Sequence, residues 1–427
     1  MPVQLRLARP PVGNGGRIWV GYSGGVDSTV LLHLLAAQWV DGLHALHVHH
    51  GLQPAADDWV RHCRRVCRQL GVPLRVLRVD VAADGEGLEA AARQARYAAV
   101  ARLLRPGDVF ATAHHRDDQA ETVLFRALRG TGIAGLGAMR ECEPLGAGLL
   151  WRPLLDTPRQ ILLDYAQRQA LPWIDDPHNH DFRFARVFLR TAVLPLLADR
   201  FPAASAHLAR LARHARAAET LLAELGQADL QALGGYGGLD IAGLQRLSVE
   251  RRHNALYQAW RMLGRMPPDE SWYARLQREV LDARADAHPV LASGGVEARR
   301  YRGRLYLMPA LPPPPDPALR LRWPRGRSCL ALPDGCGVLH CRSGRAAGCV
   351  VRFGLRGERL RPVGARHRRT LKNLSQEAGL PPWVRERMPL IETAHGELLA
   401  AGTWLDARAA ALGLAFDWQH DLPGGPN

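Results

Sequence analysis

Short apolar runs separated by amphipathic stretches recur through the first third of the chain. Ile18–Gly21, Leu43–Val48, Leu74–Val79 and Asp108–Ala113 read as strands, and Ser28–Gln38, Ala55–Leu70 and Leu88–Leu104 between them read as helices. Gly71-Val72-Pro73 stops the second helix, with glycine placed for a left-handed turn and proline beyond it. Strands alternating with helices predict an α/β fold with a parallel sheet covered on both faces. Ligands of such sheets lie beyond the carboxyl ends of the strands. Four polar clusters fall there: Tyr22 to Ser28, His47-Val48-His49-His50-Gly51, Arg78-Val79-Asp80, and Ala113 to Thr122.

The pattern then changes. From Phe201 to about Ala285 it is helical, and Val290 to Met308 alternates as a small β piece. Leu311 to Pro317 is proline-rich, a stiff linker and the clearest boundary in the chain. Short strands and turns follow. The predicted organisation is a catalytic α/β domain over 1–203, a mainly helical domain over 204–310, a linker over 311–317 and a small mixed α/β domain over 318–427.

The first cluster carries the sharpest chemistry. Tyr22-Ser23-Gly24-Gly25-Val26-Asp27-Ser28 joins a strand to a helix. That junction offers free backbone N–H groups and the positive end of a helix dipole to an anion. Gly24 and Gly25 permit close approach of a phosphate, and Ser23, Ser28 and Thr29 add hydroxyls. Asp27 is out of place in an anion cradle unless it holds a divalent cation such as Mg²⁺ or orients a nucleophile. Neither Gly-x-x-x-x-Gly-Lys-Ser/Thr nor Gly-x-Gly-x-x-Gly occurs here. The stretch resembles the SGGxDS pyrophosphate loop of ATP pyrophosphatases, which release AMP and pyrophosphate. ATP contacts are therefore expected at Ser23, Gly24, Gly25, Val26, Asp27 and Ser28.

In the last cluster Asp117 or Asp118 suits a helix N-cap. Asp118 and Glu121, three apart, share one helix face. Such a pair can coordinate Mg²⁺ or hold a substrate ammonium, and a capping box on a solvated helix start is the plainer alternative. A zinc site at His49-His50 or His114-His115 is disfavoured, because adjacent side chains on a strand point to opposite faces.

Charge adds a partner. The formal net charge is +15, with a pI near 10.3, which points to a polyanion. Lys372 is the one lysine; every other cation is arginine. The seven cysteines include no Cys-x-x-Cys pair and are expected as reduced structural thiols, the Cys329 to Cys349 cluster having no assigned role. No signal peptide and no long apolar span is evident, so a cytoplasmic protein without membrane partners is expected.

Further motifs make the resemblance specific. HVHHGLQPAADDW, LEAAARQARYAAV, HHRDDQAETVLFRALRGTGIAGLGAM, RPLLD, WIDDPHNHDFRFARVFLRTAVLPLL and the basic stretch from Arg352 to Ile391 are similar to successive motifs of the tRNA(Ile)-lysidine synthetase family. Membership would imply an ATP-dependent ligase. Such enzymes adenylate the C2 oxygen of the wobble cytidine in a CAU-anticodon tRNA(Ile), and L-lysine then displaces AMP, switching codon reading from AUG to AUA. The resemblance places Asp118 and Glu121 at the lysine pocket and makes Asp27, Arg96, Asp118, Glu121 and Arg190 the catalytic set, with ATP and Mg²⁺ as cofactors. Arg186 is less firmly assigned, because Val187 replaces a frequent asparagine. Leu128 to Met139 would be a mobile lid. Arg366, Arg368, Arg369 and Lys372 are expected to grip tRNA. Arg210, Arg213, His214 and Arg216 either face RNA or form a solvated helix face. A homodimer is left open. The competing readings are a tRNA cytidine thiolase, which would need cysteine pairs, and a non-catalytic RNA-binding protein.

Overall fold

The computed structural model describes residues 5–39, 41–49, 56–80, 88–175, 185–284, 287–343, 346 and 348–424. His50 and residues 176–184 of the Asp-rich stretch therefore lie outside the described residues. The chain divides into two compact units, Met1–Leu221 and Leu222–Asn427.

The first unit is built on β1 (Ile18–Gly21), α1 (Val26–Gln38), β2 (Leu43–His49), α2 (Ala56–Gln69), β3 (Leu74–Arg78), α3 (Leu88–Leu103), β4 (Val109–Ala111), α4 (Arg116–Leu128), α5 (Ile133–Leu136), β5 (Cys142–Leu145), β6 (Gly148–Trp151), α6 (Arg159–Arg168), α7 (Ala185–Phe188) and α8 (Leu194–Arg200). The strands form one sheet in the order β3-β2-β1-β4-β6-β5, parallel except for the β5–β6 hairpin. The alternation of β1 explains its central position. Ile18 and Val20 enter the core beneath α1, while Trp19 enters the core on the other face with Leu46, Val100 and Phe110. α1 is apolar over most of its circumference, and Val30, Leu31, Leu32 and Leu35 are wholly buried.

The chain runs from β1 through β2 to β3 on one side, then returns to place β4 on the other side of β1. This reversal opens a crevice at the carboxyl ends of β1 and β4, the usual ligand position of such sheets. The loop after β1 and the start of α4 after β4 meet there.

The long α9 (Ala204–Ala232) contains the boundary between the units. In the second unit, β7 (Leu239–Asp240), α10 (Ile241–Arg246), α11 (Val249–Met262) and α12 (Glu270–Leu276) precede β8 (Val290–Ser293), β9 (Val296–Tyr301) and β10 (Arg304–Pro309). The four strands pair antiparallel in the order β7-β10-β9-β8. Asp240, Ser248 and Asp269 cap the three helices with their side chains. The remainder is mainly antiparallel β structure with short helices. Tyr306 meets Trp383 edge-on at 5.1 Å, and Arg387 donates to the Pro312 carbonyl. The proline-rich stretch is thus tied to the segment that follows the short helix Pro382–Arg385.

Candidate active site

Gly25 is the N-cap of α1 and no side chain caps the helix, so the N–H groups of its first residues, from Val26 onward, have no side-chain acceptor among the described residues. The serines brace the loop instead. Ser23 Oγ lies 3.1 Å from Ser28 Oγ and accepts from Gly25 N at 3.3 Å, and Ser28 Oγ donates to the Gly25 carbonyl at 3.0 Å. Gly24 has φ +89°, and a Cβ there would lie 3.1 Å from Ile174 Cδ1 and 3.3 Å from Cys63 Sγ. Only glycine satisfies both the backbone and the space.

Asp27 projects from the first turn of α1. Its Oδ1 is buried without a hydrogen-bond partner, with Arg159 Nε 4.0 Å away, and His115 Nε2 lies 3.8 Å from Oδ2. Burial raises its pKa, against the pull of His115 and Arg159. An under-satisfied carboxylate beside uncapped N–H groups suits a divalent cation carried with phosphate oxygens. Mg²⁺ characteristically takes one or two protein carboxylates and fills its shell with water and phosphate. Among the described residues no group of three or more His, Cys, Asp or Glu forms a metal site by itself.

The N-cap of α4 is His115, two or three residues before the expected Asp117 or Asp118. His115 Nδ1 accepts from Asp118 N at 3.3 Å, and Asp118 Oδ2 accepts from His115 N at 3.0 Å. This is a capping box with histidine in the place usually held by serine or threonine. Asp117 is drawn off instead, accepting from Arg159 N at 2.9 Å and Ser205 Oγ at 3.0 Å.

Asp118 and Glu121 do share one face of α4, and Arg190 clamps both. Its Nε donates to Glu121 Oε1 at 2.5 Å, and its Nη2 to Glu121 Oε2 at 3.0 Å and Asp118 Oδ1 at 3.1 Å. Arg190 sits in a π-helical turn, Leu189–Val193, between α7 and α8. Such a turn inserts a residue into the helix and re-aims the side chain. Glu121 is fully buried, and that burial raises its pKa although the Arg190 fork opposes the shift. Burial also acts to raise Asp118, but His115, His114 and Arg190 outweigh it and hold the carboxyl below its ordinary value. Burial pushes His114 down to about 3, so it is neutral.

Asp27, Asp118, Glu121 and Arg190 therefore converge around His115. Arg96 is exposed on α3 and makes no contact with these groups among the described residues; burial lowers the pKa of nearby His47, and the charge of Arg96 adds to that shift. Arg186 stacks over Phe125 at 5.8 Å. Leu128 to Met139 is tied to its neighbours in this structure. Arg126 donates to the carbonyls of Gly135 and Ala138, Arg216 donates to those of Gly137 and Met139, and Gln119 makes two bonds with Met139. Arg216 is thus engaged with this segment.

Sequence reasoning missed His115 and Arg159. A histidine three residues before an acid at a helix start was the available signal for the first. Arg159 follows the helix-opening Pro158 and approaches Asp27 only through the fold.

In the second unit, Arg359-Leu360 and Arg369-Thr370 pair as a short hairpin. Arg366 and Arg368 are exposed in its loop, and Lys372 is exposed in the first turn of the following helix. Arg369 differs from the expected grip, because it is half-buried and paired with Glu377. Buried Arg352 anchors the region through Glu358 at 2.7 Å and Glu392 at 2.6 Å.

Comparison with known proteins covers both units. Residues 5–197 match the PP-loop domain model, 239–306 the TilS substrate binding domain and 349–418 the TilS substrate C-terminal domain. A tRNA(Ile)-lysidine synthase of Xanthomonas axonopodis pv. citri is 46% identical over 96% of this chain and 95% of that one. That of Pseudomonas aeruginosa is 44% identical over 94% and 93%. That of Methylococcus capsulatus is 40% identical over 96% and 97%. None of the described helices is long and apolar enough to cross a membrane.

Proposed function

This chain belongs to the tRNA(Ile)-lysidine synthase family, and from that premise we propose that it joins free L-lysine to C2 of the wobble cytidine in tRNA(Ile) with a CAU anticodon. ATP would first transfer AMP to the C2 oxygen and release pyrophosphate. The lysine ε-amine would then attack C2 and release AMP, converting an AUG-reading tRNA to one that reads AUA.

The observation that carries the reading is the pair of carboxylates on α4, Glu121 buried and Asp118 half-buried, both paired with Arg190 and lying across His115 from Asp27. Two carboxylates facing a crevice need positive charge. In our reading Asp118 and Glu121 receive the substrate ammonium in exchange for Arg190. Arg190, so released, would turn toward phosphate, as would Arg186. The uncapped N–H groups of α1 and the Ser23 and Ser28 hydroxyls would hold the departing pyrophosphate. Asp27 would carry Mg²⁺, whose charge lowers the cost of the developing phosphate charge. Arg96 would act from the α3 side, near His47. The exposed cations Arg366, Arg368 and Lys372, with Arg369 beside them, would hold tRNA phosphates.

The test is ATP–pyrophosphate exchange stimulated by CAU-anticodon tRNA(Ile), followed by mass analysis of the wobble nucleoside after lysine is added. Exchange with no lysine on the nucleoside would rule the reading out. So would exchange that is indifferent to tRNA.

A further inference from the structure

The exposed face of α2 plays no part in the chemistry above. Arg61, Arg64, Arg65 and Arg68 recur at helical spacing, while Val60, Cys63, Val66 and Cys67 face the core. Asp58 takes Arg61. Arg64, Arg65 and Arg68 have no carboxylate partner among the described residues, and Arg65 reaches only His62, Nη2 to Nδ1 at 3.1 Å. Three neighbouring cations without counter-charge repel one another, which a polyanion would relieve.

A second observation lies beside this face. The segment after α6 crosses the pyrophosphate loop, and Ile174 N donates to the Gly24 carbonyl at 2.9 Å. Two residues earlier, the Pro172 carbonyl lies against His62 of α2 and opposes the burial that lowers the pKa of that histidine. Ile174, His62 and Cys63 all close on Gly24. Trp173 adjoins the anchored Ile174, and 40% of it remains exposed. Its indole stands at the seam between a basic helix and the loop expected to bind ATP.

We propose that this seam is an RNA-binding surface: Arg64, Arg65 and Arg68 contact phosphates of the anticodon arm, and Trp173 stacks on an unpaired base next to the reacting cytidine. The inference rests on the functional reading above. Bringing C2 of the cytidine to ATP removes that base from its stack and leaves its neighbour without a partner. An indole replaces the lost stacking with any base, and guanidinium groups track the backbone without reading sequence.

The test uses the full-length protein and tRNA(Ile). With Arg64, Arg65 and Arg68 all changed to Gln, the slope of log Kd against log salt should fall in magnitude by roughly 2 to 3. The KM for tRNA should rise about tenfold or more, with the KM for lysine within twofold. The triple Lys variant should recover most of the binding, which a folding defect would not permit. An unchanged salt slope overturns the surface. Trp173→Ala should raise the KM for tRNA about tenfold, and Trp173→Phe should restore it. A rise in the KM for ATP instead would make adenine the stacked base and overturn the RNA assignment of Trp173. If the wild type transfers no lysine but the Gln variant still loses salt-dependent binding, the functional reading fails while the surface stands.

Discussion

Asp27 and Asp406 stand at the start of a helix in different units, and the fold treats them oppositely. Asp406 is buried, and it accepts from Arg361 N and Arg408 N, each at 3.0 Å, and from Arg408 Nε at 3.2 Å. Burial acts to raise its pKa, but those donors outweigh it and hold the carboxyl below its ordinary value. Asp27 is raised, and its Oδ1 has no hydrogen-bond partner. The satisfied carboxylate staples two loops together. The unsatisfied one costs stability and retains capacity for a cation. Arginines divide in the same way. Arg352 is consumed by two glutamates, whereas Arg366 and Arg368 extend into solvent.

The largest expected effect comes from Asp27→Asn. It should abolish pyrophosphate release while tRNA affinity stays within a few-fold and the melting temperature does not fall. Near-normal AMP formation would sink the role given to Asp27. Glu121→Gln comes next, and should raise the KM for lysine roughly tenfold or more, because one charge-assisted hydrogen bond contributes about 1.5–3 kcal/mol. An unchanged lysine KM would move the α4 carboxylates to the metal. Arg366, Arg368 and Lys372 changed together to Gln should weaken tRNA binding several-fold and flatten its salt dependence by roughly 2 to 3. Adding Arg369→Gln should contribute less, since Glu377 already neutralises that charge. A larger loss from Arg369 alone would reverse this ranking.

The smallest effect is on stability, and it depends on pH. The folded pKa of Asp406 lies below its ordinary 3.8. Its stabilisation is therefore fully present above the unfolded value and is lost as pH falls through the folded one. Asp406→Asn should lower the melting temperature of the protein at pH 7, with the gap narrowing below about pH 4. A gap that stays constant from pH 7 to pH 3 would show that the charge of Asp406 contributes nothing.

Local sequence was sufficient for the first four strands and first three helices of the first unit, though not for the β5–β6 hairpin or the helices α5 to α8. Apolar runs of strand length, glycine at turns and a helix of nearly continuous leucine and valine are read within a few residues of one another. The same holds for Gly24, whose neighbours already demanded a tight phosphate loop, and for the shared face of Asp118 and Glu121, which follows from helical period alone. What remained illegible involved partners distant in sequence. Arg190 reaches carboxylates about seventy positions earlier, and Arg159 reaches Asp27 across most of the first unit. The same holds for the glycine-rich segment after α4, whose carbonyls Arg126, Arg216 and Gln119 hold in this structure, contacts its own residues did not announce. Likewise Arg352, Arg369 and Arg366 are one residue type in one basic stretch. Periodicity and composition fix which chemical groups the chain owns and which way each local element turns them. Only the packing of the sheet, the return of β4 beside β1 and the burial of particular carboxylates decided which charges are neutralised internally and which remain for a ligand, because pairing energies depend on distance and solvent access rather than on separation along the chain.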